Sequence, residues 1–334
     1  MRQGSKMNSL EGQDVFQGSY AFVWHVATCG YELVYDNTHS IFDLQALMEG
    51  SKSPRHIDTI DSTPPWLIRK NSLSQPAESR LYAPLVTRTL HREFADLTDD
   101  EHLLSFANDY GFLGVGVDVN PVNGGSIEDA ESLARWHREL VHMGGVIQIW
   151  DWCKEKEEDK QERVMLGQVF RWRDSDRIAL EMETEVFARK GRPRVLPLKR
   201  RLGGETLASR GNNGLSVEPH LLHRWKPGEV IGPARYYVCR EVNKRLRGHV
   251  SLQLHPFAEK GHRVGLWPST LLATMWLMFM WEMTGETRML LCPSCGKWSK
   301  ATDCRSRFCS PACRQRAYYK RKKKGEGSHE QEFK

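Results

Sequence analysis

Hydrophobic and polar positions change period several times along the chain, and each change marks an expected element. Between Tyr20 and Tyr35 aromatic and β-branched residues crowd around Gly30, predicting two short strands or one interrupted strand. Gly50 to Ser79 carries Pro54, Pro64, Pro65 and Pro76 among many Ser and Thr, the composition of a loop or linker. Order returns at Arg80. Thr98-Asp99-Asp100-Glu101 is a capping box for a helix whose apolar face holds Leu103, Leu104, Phe106 and Ala107, and which Gly111 ends. After a glycine-rich interval, Ser126-Ile127-Glu128-Asp129 repeats the capping signal before Leu133, Trp136, Leu140 and Met143 at helical spacing. Gly144-Gly145 is expected to break or kink that helix. Val146 to Cys153 then carries helix toward the charged run Lys154 to Arg163, where interleaved signs mark a solvated face.

Farther on, Gly203 to Gly214 reads as flexible, and Tyr237, Val238, Val242 and Leu246 recur at helical spacing. His249 to His255 alternates as a strand does, with Arg263 to Trp267 as its expected partner. Pro268-Ser269 opens the most apolar run, Leu271 to Met283, which stops at Gly285. Its eleven apolar residues are too few to span a bilayer, so a buried helix and no membrane partner are expected. With 334 residues, 40% of them hydrophobic and 10% aromatic, the chain has ample material for a core. The expected fold is α+β, a mainly helical core with a few short strands. It divides into an N-terminal region (1–79), a core of unassigned role and unknown ligand (80–287), a C-terminal module (288–324) and a disordered tail (325–334).

That module is defined by Cys292-Pro293-Ser294-Cys295-Gly296 and Cys309-Ser310-Pro311-Ala312-Cys313, with thirteen residues between Cys295 and Cys309. One Cys-x2-Cys and one Cys-x3-Cys supply four thiolates at the spacing of a tetrahedral structural zinc site. Pro293 and Gly296 suit a tight knuckle, while Ser310 and Pro311 are a good N-cap and first helical residue. Lys297 to Phe308 has room for a short hairpin, with Trp298 and Phe308 as the apolar residues to pack under the metal. The implied order is knuckle, hairpin, helix, a treble-clef or ribbon-like module with almost no core of its own. Metal binding, about 10 to 16 kcal/mol in such peptides, would supply its folding free energy. The alternative is disulfides. Met1 to Lys6 shows no apolar h-region, so a reducing, cytoplasmic location is expected and zinc is the preferred reading. Cys29, Cys153, Cys239 and Cys304 are left outside the ligand set.

Charge sharpens the picture. Arg288 to Lys324 holds twelve Lys or Arg against the single acid Asp303, a formal +11 within a chain of net +6, so the remainder carries −5. The helix beyond Cys313 contains Arg314, Arg316, Tyr318, Lys320, Arg321, Lys322, Lys323 and Lys324. A cationic helix held by a metal site suits phosphate neutralisation, with tyrosines beside it for stacking or backbone contact, and duplex DNA is the expected partner. The bland counterpart is a solvated helix that only aids solubility. A second basic cluster, Arg189 to Arg201, contains Gly191-Arg192-Pro193-Arg194, which resembles the AT-hook that lies in narrow minor grooves, against the alternative of a basic surface loop. A single small module is a modest footprint for specific recognition, so a homodimer or Arg192, Pro193 and Arg194 would add contacts.

Cys292-Pro-Ser-Cys-Gly-Lys-Trp298 together with Arg307-Phe-Cys-Ser-Pro-Ala-Cys-Arg-Gln-Arg-Ala-Tyr318 resembles the C-terminal zinc finger of bacterial CGNR-type proteins. The resemblance implies zinc held by Cys292, Cys295, Cys309 and Cys313, Arg314 and Arg316 in a basic helix, and a DNA-binding transcriptional regulator at the nucleoid. It covers about a tenth of the chain. The eponymous Cys-Gly-Asn-Arg stands here as Cys313-Arg314-Gln315-Arg316, keeping only the first and last residues.

Catalytic signatures are missing from the sequence: no Gly-x-Ser-x-Gly, no P-loop and no His-Glu-x-x-His. Histidines such as His25, His39, His102, His137 and His142 read as surface or satisfied core residues. A zinc-scaffolded nuclease would have to draw on Asp303 or His329. A protein-docking or purely structural zinc module is the other alternative.

Overall fold

The computed structural model describes residues 24–34, 66–70, 79–82, 89–114, 130–154, 160–173, 177–182, 202–209, 218–257, 261–285, 289–301 and 306–329. In chain order the elements begin with β1 (Trp24–Ala27), β2 (Tyr31–Val34), β3 (Trp66–Arg69), β4 (Ser79–Tyr82), α1 (Leu90–Ala95) and α2 (Asp100–Tyr110). Then come β5 (Ala130–Ser132), α3 (Leu133–Lys154), α4 (Lys160–Val169), β6 (Phe170–Arg173), β7 (Arg177–Met182), β8 (Leu202–Ser209) and α5 (Ile231–Leu246). The last are β9 (Val250–Phe257), β10 (Gly261–Pro268), α6 (Leu271–Met283), β11 (Met289–Leu291), β12 (Trp298–Lys300) and α7 (Pro311–His329). Helices mix with short, mostly antiparallel strand groups, as expected of an α+β chain. Among the described residues no helix is long and apolar enough to cross a membrane.

The chain divides into two compact units. One comprises residues 25–80 and 94–247, the other 1–24, 81–93 and 248–334. These boundaries cut across the linear division at 79 and 287.

In the first unit β3 is the centre of a three-stranded sheet, β2-β3-β5, with Leu33 opposite Leu67 and Leu67 opposite Glu131. β3 lies inside the stretch expected to be a linker. Pro64 and Pro65 precede it and so leave its ladder intact, while Leu67 is buried. α2 forms as expected, but its N-cap is Asp99, whose carboxylate accepts the His102 N–H at 2.9 Å, and Gly111 closes it with φ +88°. Phe94, Phe106 and Trp136 pack ring against ring with centroids 5.3 to 6.3 Å apart. Buried Glu131 accepts N–H groups from Leu113, Gly114 and the Trp136 indole.

α3 starts at Leu133 and runs unbroken through Gly144 and Gly145, contrary to the expected break. Both glycines are buried. A cost of about 1 kcal/mol for each relative to Ala is outweighed by the burial of Met143, Val146, Ile147 and Ile149 around them. β8 replaces the flexible stretch expected from Gly203: it pairs with β7, and register shifts on β7 absorb the irregular sequence. α5 begins at Ile231, six residues before Tyr237, and Pro233 falls in its first turn, where no intrahelical N–H bond is lost. His137 bonds to Asp100 at 2.7 Å, and His142 Nε2 lies 3.3 Å from the Glu241 carboxylate.

In the second unit β9 and β10 pair antiparallel with Arg263 opposite His255 and Trp267 opposite Ser251, as expected. Thr270 caps α6, accepting the Ala273 N–H at 3.0 Å, and Gly285 follows its end with φ +82°. Every residue from Leu271 to Phe279 is buried, so this helix forms the core of its unit.

Candidate metal centre and its basic helix

The four cysteines come together at the C-terminal end of the second unit. Their sulfurs all lie within 4.8 Å of one another, with Cys295 to Cys309 at 3.6 Å and Cys309 to Cys313 at 3.5 Å. A tetrahedral tetrathiolate at a metal–sulfur distance of about 2.3 Å places its sulfurs about 3.8 Å apart, so the cluster has the dimensions to hold an ion.

Local structure fixes each pair. β11 and β12 pair with Leu291 opposite Trp298, and the first knuckle is the tip of this hairpin. Cys292 donates its N–H to the Lys297 carbonyl at 3.0 Å, and Gly296 donates to the Cys292 carbonyl at 2.8 Å with φ +69°, where glycine carries no Cβ penalty. The hairpin therefore encloses the knuckle, whereas the sequence placed it after the knuckle. Met289-Leu290-Leu291, for which the sequence predicted no element, is the first strand of that hairpin. The second pair behaves as expected: Ser310 Oγ accepts the Cys313 N–H at 3.2 Å and the Ser310 carbonyl accepts the Arg314 N–H at 3.1 Å, starting α7 at Pro311. α7 continues to His329, into the segment expected to be disordered, because extending a nucleated helix adds one hydrogen bond per residue fixed.

The cluster is electrostatically incomplete on its own. Burial opposes charge on Cys292, yet N–H groups of Cys309, Ser294 and Cys295 directed at its sulfur bring the thiol down to about 6. Cys309, in contact with the thiols of Cys313 and Cys295, is pushed up to about 12. Cys313 is lowered by the Ser310 hydroxyl and by Cys309. Neighbouring thiolates repel, so the four groups do not ionise together.

Behind the hairpin lies a buried polar network that the sequence did not reveal. Arg92 of α1, only 2% exposed, forks onto Glu282 of α6: Nε donates to Oε2 at 2.9 Å and a terminal nitrogen donates to Oε1. His91 Nε2 meets the same Oε2 at 2.9 Å. The Arg92 guanidinium also sits 4.7 Å from the ring centroid of Trp298, in β12. The cysteine hairpin is thus packed against the unit's own helices. The one available signal was Glu282, an acid inside the most apolar run of the chain.

Along α7, Arg314, Arg316, Tyr318 and Lys320 are exposed, with Tyr318 and Tyr319 at 58% and 55%. Arg321, Lys322, Lys323 and Lys324 continue the helical backbone. Arg192, Pro193 and Arg194, the rest of the Arg189 to Arg201 cluster, Cys304 and Asp303 lie outside the described residues. No family model matches the chain, and neither a curated protein nor a solved structure proved similar to it.

Proposed function

We propose that the chain is a zinc-binding protein that contacts nucleic acid through α7, and that it acts as a DNA-binding regulator of the kind its cysteine motif resembles, the CGNR-type proteins. Four thiolates in a closed set favour zinc over harder cations. Bound there, the ion would neutralise the sulfurs of Cys292, Cys295, Cys309 and Cys313 and hold the knuckle to the first turn of α7. The observation that carries the reading is the helix itself. From Pro311 to Lys320 only Cys313 is buried and Ala317 half-buried, so a strongly cationic helix is anchored at one end and open on the remaining sides. Arg316 and Lys320, one turn apart, repel each other, as does the charge farther along. Phosphates supply the missing counter-charge.

The test is duplex binding by the zinc-loaded chain and by a variant with Arg314, Arg316, Lys320 and Arg321 all changed to Ala. Loss of salt-sensitive binding with zinc content unchanged is the expected result. Equal binding by both proteins would remove α7 as the interface.

A further inference from the structure

The distribution of side chains around α7 carries more than its total charge. Successive residues advance by about 100° around a helix. Buried Cys313 and half-buried Ala317, four residues apart, mark the line that faces the module. Directly opposite that line lie Gln315, Tyr318 and Tyr319, all exposed and all uncharged. Arg314 occupies one shoulder of the helix, with position 321 on its continuation. Arg316 occupies the other, while Lys320 falls beside the Cys313 line, farther along the helix. From Pro311 to Lys320 that ridge carries no charged residue. A helix charged merely for solubility would place its cations on that ridge. Here it presents an amide and two phenol rings, the rings 5.8 Å apart and edge to face.

Resting on the nucleic-acid reading above, we infer that α7 enters the major groove of duplex DNA, its ridge toward the base edges and its shoulders toward the two phosphate walls. In this arrangement Gln315 and Tyr319 determine sequence preference, and Arg314 and Arg316 hold the backbone. Dimensions and chemistry agree. The helix has 19 residues, a length of about 28 Å, and the B-form major groove, about 12 Å wide, admits a helix. The deep, narrow major groove of A-form RNA does not. A glutamine amide pairs in bidentate fashion with adenine N6 and N7, and an aromatic ring packs on the thymine methyl group. Gln315 stands where the CGNR signature has its third residue, so the preference would belong to this chain.

The experiment is selection of binding sites from a randomised duplex library by the full-length, zinc-loaded chain, followed by affinity measurements on selected and scrambled duplexes. The selected site should contain an A·T step, and Gln315→Ala should reduce discrimination at one base pair by roughly 5- to 150-fold while leaving affinity for scrambled duplex unchanged. Arg314→Ala and Arg316→Ala should each weaken all sequences alike and lower the salt slope by about one. Circular dichroism and zinc content confirm that each variant is folded. Salt-sensitive duplex binding without base preference overturns the inference but leaves the nucleic-acid reading standing. So does a Gln315→Ala effect equal on all sequences, or tighter binding to single strands that Tyr319→Ala abolishes. Absence of salt-sensitive binding to any nucleic acid overturns both.

Discussion

At the scale of single residues, Arg92 ties α1 to α6 and to the cysteine hairpin. Its guanidinium serves Glu282 through two donors and Trp298 through its face, all within one unit. Removing Arg92 leaves the buried Glu282 carboxylate with His91 but without its guanidinium, so Arg92→Ala should cost about 3 kcal/mol in urea unfolding, the low end for breaking a buried pair. Replacing both residues, Arg92→Met with Glu282→Leu, should cost less than Arg92→Ala; a larger loss would mean that the pair is not the source of the effect. The cysteines yield a prediction in pH. The thiol of Cys309 stands at about 12 and must lose its proton to bind a metal, whereas Cys292 at about 6 is mostly thiolate at neutrality. The metal-bound form holds fewer protons, so raising the pH favours it. Competition with a chelator should show zinc affinity climbing from pH 6 to pH 8, about tenfold per unit for each proton released. The grouping of the four cysteines was legible because a metal site would demand one residue type at fixed spacing. Arg92 was not, since its partner Glu282 is 190 residues away and nothing local announces the pairing.

At the scale of elements, the start of α7 couples helix formation to the cysteine cluster. Ser310 caps the helix, accepting the N–H of Cys313, itself one of the four cysteines. Ser310→Ala should therefore destabilise the helix start by about 1 kcal/mol and weaken zinc binding roughly fivefold, measured by chelator titration, while Ser310→Asp should restore most of the loss. Elements whose signals are local were legible: the Asp99 cap and Gly111 stop of α2, the alternation of β9 and β10, and the apolar run of α6. Others depended on tertiary partners. β3 was hidden in a proline-rich stretch and becomes a central strand through β2 and β5. β8 begins with a glycine pair and is held by β7, while the buried flanks of Gly144 and Gly145 carry α3 past residues that would weaken an isolated helix. β11 is three residues long and recognisable only once the knuckle folds its partner onto it.

For the whole molecule, the division of charge is the organising fact. The C-terminal module carries a formal +11 and the remainder −5, so any polyanion is steered toward one end of the chain. Composition made that asymmetry visible before any fold was known. What it left hidden is the discontinuous unit behind the module, in which residues 81–93 join 248–334. Because Trp298 of the cysteine hairpin rests on Arg92, loss of the metal should be felt beyond the hairpin. Chelation should lower the unfolding midpoint of the whole second unit, read as altered hydrogen-exchange protection in α6; protection that ignores the metal would show the module to be energetically separate.

The most direct measurement is fluorescence anisotropy of a labelled duplex with the full chain, zinc-loaded, chelated, and as Cys309→Ser, from about 50 to 200 mM salt. A metal-anchored cationic helix predicts that log affinity of the zinc-loaded chain falls linearly with log salt, with a loss of about a thousandfold across that range. It also predicts binding at least about tenfold weaker, at every salt concentration, when the metal or its ligand is removed, because the helix must then be ordered at the expense of binding. Affinity that is indifferent to both salt and metal would contradict the account and leave the cysteine module as a structural or protein-docking element.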